Sequence, residues 1–176
     1  MIKAELLSQL ENAKNNFILV LAAISLFSNE KAKPLLEESL IKFGKYTVQF
    51  NQVVNMMIKK EDRTIACKEF ANMGLRILIK ETFELIKTYA KETSQKEKFE
   101  AWPNYLFAKT IRNALSHDFK VNFQDKKELK KLPILLRDKI ITERMDNTFL
   151  ELSFFGYVEA WELFGDMKDF VILELN

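Results

Sequence analysis

The sequence predicts a mainly α-helical fold, and three observations support that class. Only 4 of the 176 residues are Gly and 3 are Pro, while 48% are hydrophobic, including 15 Phe. This composition suits long helices better than a sandwich of short strands. Apolar residues also recur at intervals of three and four, as on one face of a helix. A chain of this length buries roughly 70% of its unfolded surface, so we expect one domain over residues 1–176.

The first half of the chain predicts three helices. Apolar side chains at helical spacing define the first, which ends at a polar break over residues 28–31. Pro34 suits the first position of a second helix, which is predicted to continue to about Met57 and to pack antiparallel to the first. A long third helix is predicted over residues 63–92. Residues 93–100 are polar and are expected to form a linker.

The second half predicts two further helices with a less regular stretch between them. Pro103 begins the fourth helix, and the last is predicted from about Ser153 to Leu173. Between them, residues 119–123 alternate as a short strand does, and residues 139–143 with 148–150 fit a small hairpin. The expected fold is therefore an antiparallel bundle of about five helices, with or without a small β-hairpin between the fourth and last helices.

Charge, cysteine content and apolar runs limit the function classes. The net charge is +2 with a pI near 8.5. The chain is therefore too weakly basic to be held on nucleic acid by its overall charge, so any contact with nucleic acid must be local. The single Cys67 excludes an internal disulfide framework and fits a reducing, cytoplasmic compartment. The longest apolar run, residues 17–27, is shorter than the roughly 20 residues of a membrane span, so no membrane contact is expected.

The most informative segment surrounds His117, the only histidine, which follows Arg112 by five positions. At 100° per residue, the fourth helix has an apolar face of Phe107, Ile111, Ala114 and Leu115, and an opposite polar face of Arg112, Asn113, Ser116 and His117. Asn113 and His117 are four apart, close enough for the amide to orient the imidazole, whereas Arg112 lies about 140° away from His117. Two such faces about a twofold axis would place two arginines and two histidines in one cleft.

This motif resembles that of the HEPN domains, all-helical proteins marked by an arginine, a polar residue that is often asparagine, a short gap and a histidine. The matching residues are Arg112, Asn113 and His117. The resemblance covers the motif and the general layout of a helical bundle with the motif on a late helix. Many HEPN proteins are metal-independent endoribonucleases that act as dimers with the active site at the interface, and several are toxins of toxin–antitoxin or phage-defence systems. The resemblance therefore implies an RNA substrate, a homodimer and, for a toxin, an antitoxin protein as partner.

The chemistry of the motif agrees with that implication. Metal-free RNA cleavage uses the 2′-hydroxyl of the substrate as nucleophile, a group titrating near neutrality to move protons, and a cation to stabilise the charged phosphate. His117 suits the proton transfer, and the planar, permanently charged guanidinium of Arg112 suits the phosphate. Asn113 is expected to orient the histidine or hold a phosphate oxygen, and Ser116 to add a donor. No cofactor or metal is expected.

Further residues carry weaker signals for RNA binding. The lysines after and around the motif are expected to contact phosphates; they are Lys109, Lys120, Lys126, Lys127, Lys130 and Lys131. Tyr105 and Trp102 are expected to stack on bases. Each feature also has an ordinary structural interpretation: lysine runs are typical of solvated loops, aromatic rings of cores, an arginine of pairing with a neighbouring carboxylate, and a histidine of capping a helix C-terminus. The alternative function is a non-catalytic helical module, HEPN-like or unrelated, that binds a protein or a nucleotide.

Overall fold

A computed structural model describes residues 1–123 and 129–176, and it confirms the predicted mainly helical class. The helices are α1 Lys3–Phe27, α2 Lys33–Glu37, α3 Asn51–Ile58, α4 Lys60–Arg76, α5 Thr82–Glu92, α6 Lys96–Glu100, α7 Tyr105–Ser116 and α8 Tyr157–Leu173. A π-helical turn, Ile77–Glu81, connects α4 to α5. Two antiparallel hairpins pair β1 Leu40–Phe43 with β2 Tyr46–Gln49, and β3 Ile134–Leu136 with β4 Lys139–Ile141. Within the described part of the chain, no helix combines the length and apolarity needed to cross a bilayer.

The chain divides into two compact units. The larger unit comprises Met1–Asn16 and Leu75–Asn176, and the smaller unit comprises Phe17–Gly74. The core of the larger unit consists of fully buried side chains from α1, α5, α7 and α8, among them Leu6, Leu10, Phe83, Ile86, Phe107, Ile111, Leu163 and Met167. The larger unit therefore contains the whole motif segment.

The smaller unit corrects the predicted second helix. A single helix from Pro34 to about Met57 was expected, whereas α2 ends at Glu37 and a β-hairpin occupies residues 40–49. The turn of this hairpin contains Gly44 at φ +58, a conformation that glycine adopts without steric cost. The apolar residues there are dense enough to fit both a helical spacing and a strand alternation, so the glycine turn decides between the two.

The predicted long third helix is confirmed, because α4, the π turn and α5 follow one another without a break. The predicted polar linker over residues 93–100 includes the short helix α6. A hairpin does lie between α7 and α8, but β4 pairs with β3 rather than with residues 148–150. The predicted strand at 119–123 contributes one isolated bridge, from Lys120 to Phe149. A tight turn of only two residues, Arg137 and Asp138, joins β3 to β4, and Arg137 adopts φ +53 there. Alternation alone does not reveal such a turn, which is why it assigned the wrong partner to β4.

The last helix begins at Tyr157, later than the predicted Ser153, and side-chain hydrogen bonds define its start. The Glu159 carboxylate accepts a hydrogen bond of 2.9 Å from the backbone N–H of Gly156, which satisfies a donor of the first turn. Lys139 of β4 lies 2.9 Å from the other oxygen of the same carboxylate. Burial alone would raise the pKa of Glu159, but the hydrogen bonds from Lys139 and from the backbone hold that pKa below its usual range. This carboxylate therefore ties β4 to the start of α8.

Two glycines offer a matched test of packing. A Cβ on Gly74 would lie 2.9 Å from Cγ1 of Val20 and 3.3 Å from Cδ2 of Phe17. Because both neighbours are buried, we expect Gly74→Ala to lower the free energy of unfolding by about 1–2 kcal/mol in spite of the higher helix propensity of alanine. Gly165, in α8, has no neighbouring atom of the described residues within 4 Å of such a Cβ, so Gly165→Ala is expected to raise it by up to about 1 kcal/mol. Urea unfolding measures both, and effects of the same sign would contradict this account.

Candidate active site

Helix α7 presents the motif on the face that periodicity predicts. Its apolar residues Phe107, Ile111, Ala114 and Leu115 are buried. On the opposite side, Arg112, Asn113 and Ser116 are half-buried and His117 is exposed. The helix ends at Ser116, and the backbone N–H of His117 donates to the carbonyls of Asn113 and Ala114, each at 3.1 Å. The imidazole therefore lies at the C-terminal end of α7, where a positive charge is favoured.

The guanidinium of Arg112 is engaged by three neighbours. It forms an ion pair with Glu84 of α5, donates to the amide oxygen of Asn113 at 2.6 Å and lies 5.1 Å from the centre of the Phe83 ring. Only 19% of the Arg112 side chain is exposed, and its Nε atom is buried without a hydrogen-bond acceptor among the described residues. Glu84 therefore balances the charge of Arg112, and most of the arginine is turned inward.

Asn113 and Ser116 form hydrogen bonds with Arg112, through its side chain and its backbone carbonyl respectively, and not with the imidazole. The amide oxygen of Asn113 accepts from Arg112, and the hydroxyl of Ser116 donates to the Arg112 carbonyl at 2.9 Å. Within residues 1–123 and 129–176, the side chain of His117 has no hydrogen-bond partner. One copy of the chain therefore provides an exposed imidazole and an inward guanidinium that do not touch each other.

The turn after His117 has an uncommon backbone. Asp118 and Phe119 adopt φ values of +52 and +60, and the N–H of Lys120 donates to the His117 carbonyl at 3.0 Å. Residues other than glycine rarely adopt positive φ, and such residues cluster at functional sites. The surrounding structure must therefore hold this turn in place.

Arg76, at the end of α4, lies against this turn. Its Nη2 is 3.4 Å from a carboxylate oxygen of Asp118, and its guanidinium is 5.1 Å from the centre of the Phe119 ring. Sequence reasoning missed Arg76, because 42 residues separate it from Asp118 and no local pattern connects the two. The one available signal was the scarcity of arginine, since the chain has 5 against 22 lysines. The candidate site thus contains a second guanidinium.

The π turn explains how Arg76 and Glu84 both reach the second half of α7 and the turn beyond it. Arg76 precedes the turn and Glu84 follows it, eight residues later. On an uninterrupted α-helix two such residues would lie about 80° apart around the axis. The wider π turn advances less per residue and so reduces that offset. Single π turns within α-helices often occur at functional sites.

The remaining predicted RNA-binding residues lie at different distances from the imidazole. Lys120 is three residues beyond His117, with its ammonium 5.2 Å from the centre of the Phe149 ring. Lys109 is half-buried, two turns before His117 on α7. Tyr105 is the first residue of α7, about 18 Å along the helix axis from His117. The structure thus places Lys120 near the imidazole and Tyr105 at the opposite end of the helix.

The other predicted contacts do not gather at the motif. The Tyr105 ring packs edge-on against Phe99, with 5.0 Å between ring centres, and Trp102 stacks on Phe99 at 6.5 Å. These rings belong to an aromatic cluster. Lys130 and Lys131 are exposed, and Lys126 and Lys127 lie outside the described residues.

An acidic groove of about 510 Å³ borders the ion pair on the Glu84 side. Four glutamates line it: Glu5, Glu81, Glu84 and Glu92. Such a groove repels phosphate groups. An anionic ligand is therefore not expected to reach Arg112 through this groove.

The side chains around His117 provide an exposed acid–base group and two arginines, one half-exposed and one largely inward. In the part of the chain that the structure describes, no three His, Cys, Asp or Glu side chains come together as potential metal ligands. No protein-family model, curated protein or solved structure matches the chain.

Proposed function

We propose that this protein is a HEPN-like, metal-independent endoribonuclease whose essential residues are Arg112 and His117. The observation that carries the proposal is the exposed lone histidine at the end of α7, five positions after an arginine and directly before Asp118, which pairs with a second arginine. An exposed imidazole can exchange protons with a substrate, and guanidinium groups bind phosphate through charge-assisted, often bidentate hydrogen bonds. The resemblance of the motif to that of HEPN domains supports the same activity.

In the proposed reaction, the phosphoryl group of the RNA backbone moves from the 5′-oxygen to the neighbouring 2′-oxygen. The imidazole of His117 accepts the 2′-hydroxyl proton, the 2′-oxygen attacks phosphorus, and the bond to the 5′-oxygen breaks. The 5′-oxygen takes up a proton, so the products are a 2′,3′-cyclic phosphate and a 5′-hydroxyl. Arg112 stabilises the charge on the phosphate, for which it must exchange the Glu84 carboxylate for a phosphate oxygen.

A homodimer is part of the proposal, because Arg112 and His117 do not meet within one chain. A second α7 face, related by a twofold axis, supplies the arginine and the second histidine that one copy lacks, and that histidine can protonate the leaving 5′-oxygen. The role of a toxin held by an antitoxin, or of a phage-defence protein, follows from the same resemblance. Sedimentation at micromolar concentration tests the dimer, and a strictly monomeric active particle would contradict it.

The decisive experiment incubates the purified protein with transfer RNA and bulk RNA in excess EDTA. We expect fragments that end in 2′,3′-cyclic phosphate, because the substrate hydroxyl replaces a metal-activated water as nucleophile. Intact RNA, or fragments that lack the cyclic end, would contradict the proposed mechanism. End-group analysis by mass spectrometry distinguishes these results.

One observation favours the alternative, a non-catalytic module that binds another protein. Ile41, Phe43, Tyr46 and Val48 share one face of the β1–β2 hairpin, and all four are exposed. Exposed apolar patches are typical of protein–protein contacts. Overexpression separates the two functions: growth arrest by the wild type that His117→Ala relieves supports the ribonuclease, whereas harmless overexpression of the wild type supports the module.

A further inference from the structure

The two arginines near the motif differ in how readily they can bind a ligand. Arg112 is 19% exposed and is held by Glu84, Asn113 and the Phe83 ring. Arg76 is 42% exposed, and its single described ion pair, to Asp118, is 3.4 Å long. Asp118 itself is 93% exposed, and ion pairs of this kind are individually weak. A phosphate can therefore displace the Asp118 carboxylate from Arg76 more easily than the Glu84 carboxylate from Arg112.

The surroundings of Arg76 also prepare it for an anion. The Phe119 ring lies 5.1 Å from the guanidinium, and stacking of this kind restrains the side chain while its edge donors remain usable. Among the residues that the structure describes, only Asp118 accepts a hydrogen bond from the Arg76 guanidinium, and its buried Nε donor has no acceptor. Within this part of the chain, most of the hydrogen-bonding capacity of Arg76 is thus unused.

The position of Arg76 connects it with the imidazole. Its partner Asp118 directly follows His117, and consecutive Cα atoms are about 3.8 Å apart. A phosphate that replaces the Asp118 carboxylate on Arg76 would lie in the neighbourhood of His117. Lys120, whose N–H closes the same turn on the His117 carbonyl, adds a further positive charge to this turn.

We propose that Arg76 is a phosphate-binding residue of this site, which captures an RNA phosphate beside His117 by displacing Asp118. RNA as the ligand rests on the proposed ribonuclease function, whereas phosphate binding by Arg76 does not depend on cleavage. Asp118 acts as the competing anion that occupies the guanidinium in the free protein.

Proton NMR tests this proposal, because a single histidine gives a single set of imidazole resonances. Inorganic phosphate is titrated into the full-length protein, and the shift of the His117 Cε1–H signal reports binding. We expect Arg76→Gln to weaken phosphate binding about tenfold or more, since it removes a charge-assisted hydrogen bond. Arg76→Lys is expected to restore part of the affinity, and Asp118→Asn to strengthen binding severalfold. Lys91→Gln, an exposed substitution on α5, serves as the control for loss of one positive charge.

The possible results distinguish phosphate binding by Arg76 from a purely structural role. Equal phosphate affinity in folded Arg76→Gln and wild-type protein would overturn the proposal, even if the variant unfolds at lower urea, because Arg76 would then only support the turn. If Arg76→Gln does not fold, Asp118→Asn decides, and unchanged affinity in that variant overturns the proposal. Arg76-dependent phosphate binding with uncut RNA would refute the proposed catalysis and leave this inference standing. Cleavage with an unaltered KM in Arg76→Gln would refute this inference alone.

Discussion

His117→Ala is expected to reduce RNA cleavage by about 10² to 10⁴-fold, the usual contribution of general acid–base catalysis. The free energy of unfolding should change by no more than about 0.5 kcal/mol, because the side chain is exposed and has no hydrogen-bond partner among the described residues. Single-turnover cleavage of transfer RNA in EDTA, combined with urea unfolding of the same samples, measures both quantities.

The control for this prediction is Lys91→Ala, which removes an exposed residue of α5 about two turns beyond Glu84. It should retain wild-type cleavage. Cleavage by His117→Ala at more than a tenth of the wild-type rate would show that another group moves the proton, and would remove the basis of the proposed mechanism.

Arg112→Ala should affect both stability and cleavage. We expect the free energy of unfolding to fall by about 1–3 kcal/mol, because the variant loses a partly buried ion pair and the stacking on Phe83. Cleavage should fall at least about 100-fold, the scale measured when one oxyanion-stabilising donor is removed. Rates are compared at a temperature where unfolding data show both proteins to be folded.

Glu84→Gln provides the matched variant, since it breaks the same ion pair but leaves the guanidinium in place. It is expected to lose about 1 kcal/mol of stability and to retain cleavage, because a freed Arg112 remains able to bind phosphate. Equal losses of cleavage in Glu84→Gln and Arg112→Ala would mean that the arginine acts through the ion pair, as a structural residue. Full activity in Arg112→Ala would exclude it from the reaction.

Local periodicity was enough to predict the helical class, the long helix through α4 and α5, and the buried and polar faces of α7. Each of these depends on residues within two or three turns of one another, where helical spacing decides which side chains share a face. The same local spacing failed over residues 40–49, where apolar residues fit two periods and Gly44 makes a turn. It failed again for the partner of β4, which was expected at residues 148–150 and is β3, joined to β4 by the two-residue turn of Arg137 and Asp138.

The candidate site, like the fold, was partly predictable from the sequence. The sequence by itself identified the candidate residues, the lone His117 and the arginine five positions before it, and placed them on the polar face of one helix. Only the tertiary structure decided what surrounds them: Glu84 from α5 on Arg112, and Arg76 from α4 on the turn after His117. These contacts join residues that are 28 and 42 positions apart along the chain. Helical spacing specifies neighbours within a few turns, whereas the partners of a charge are chosen by how the helices pack.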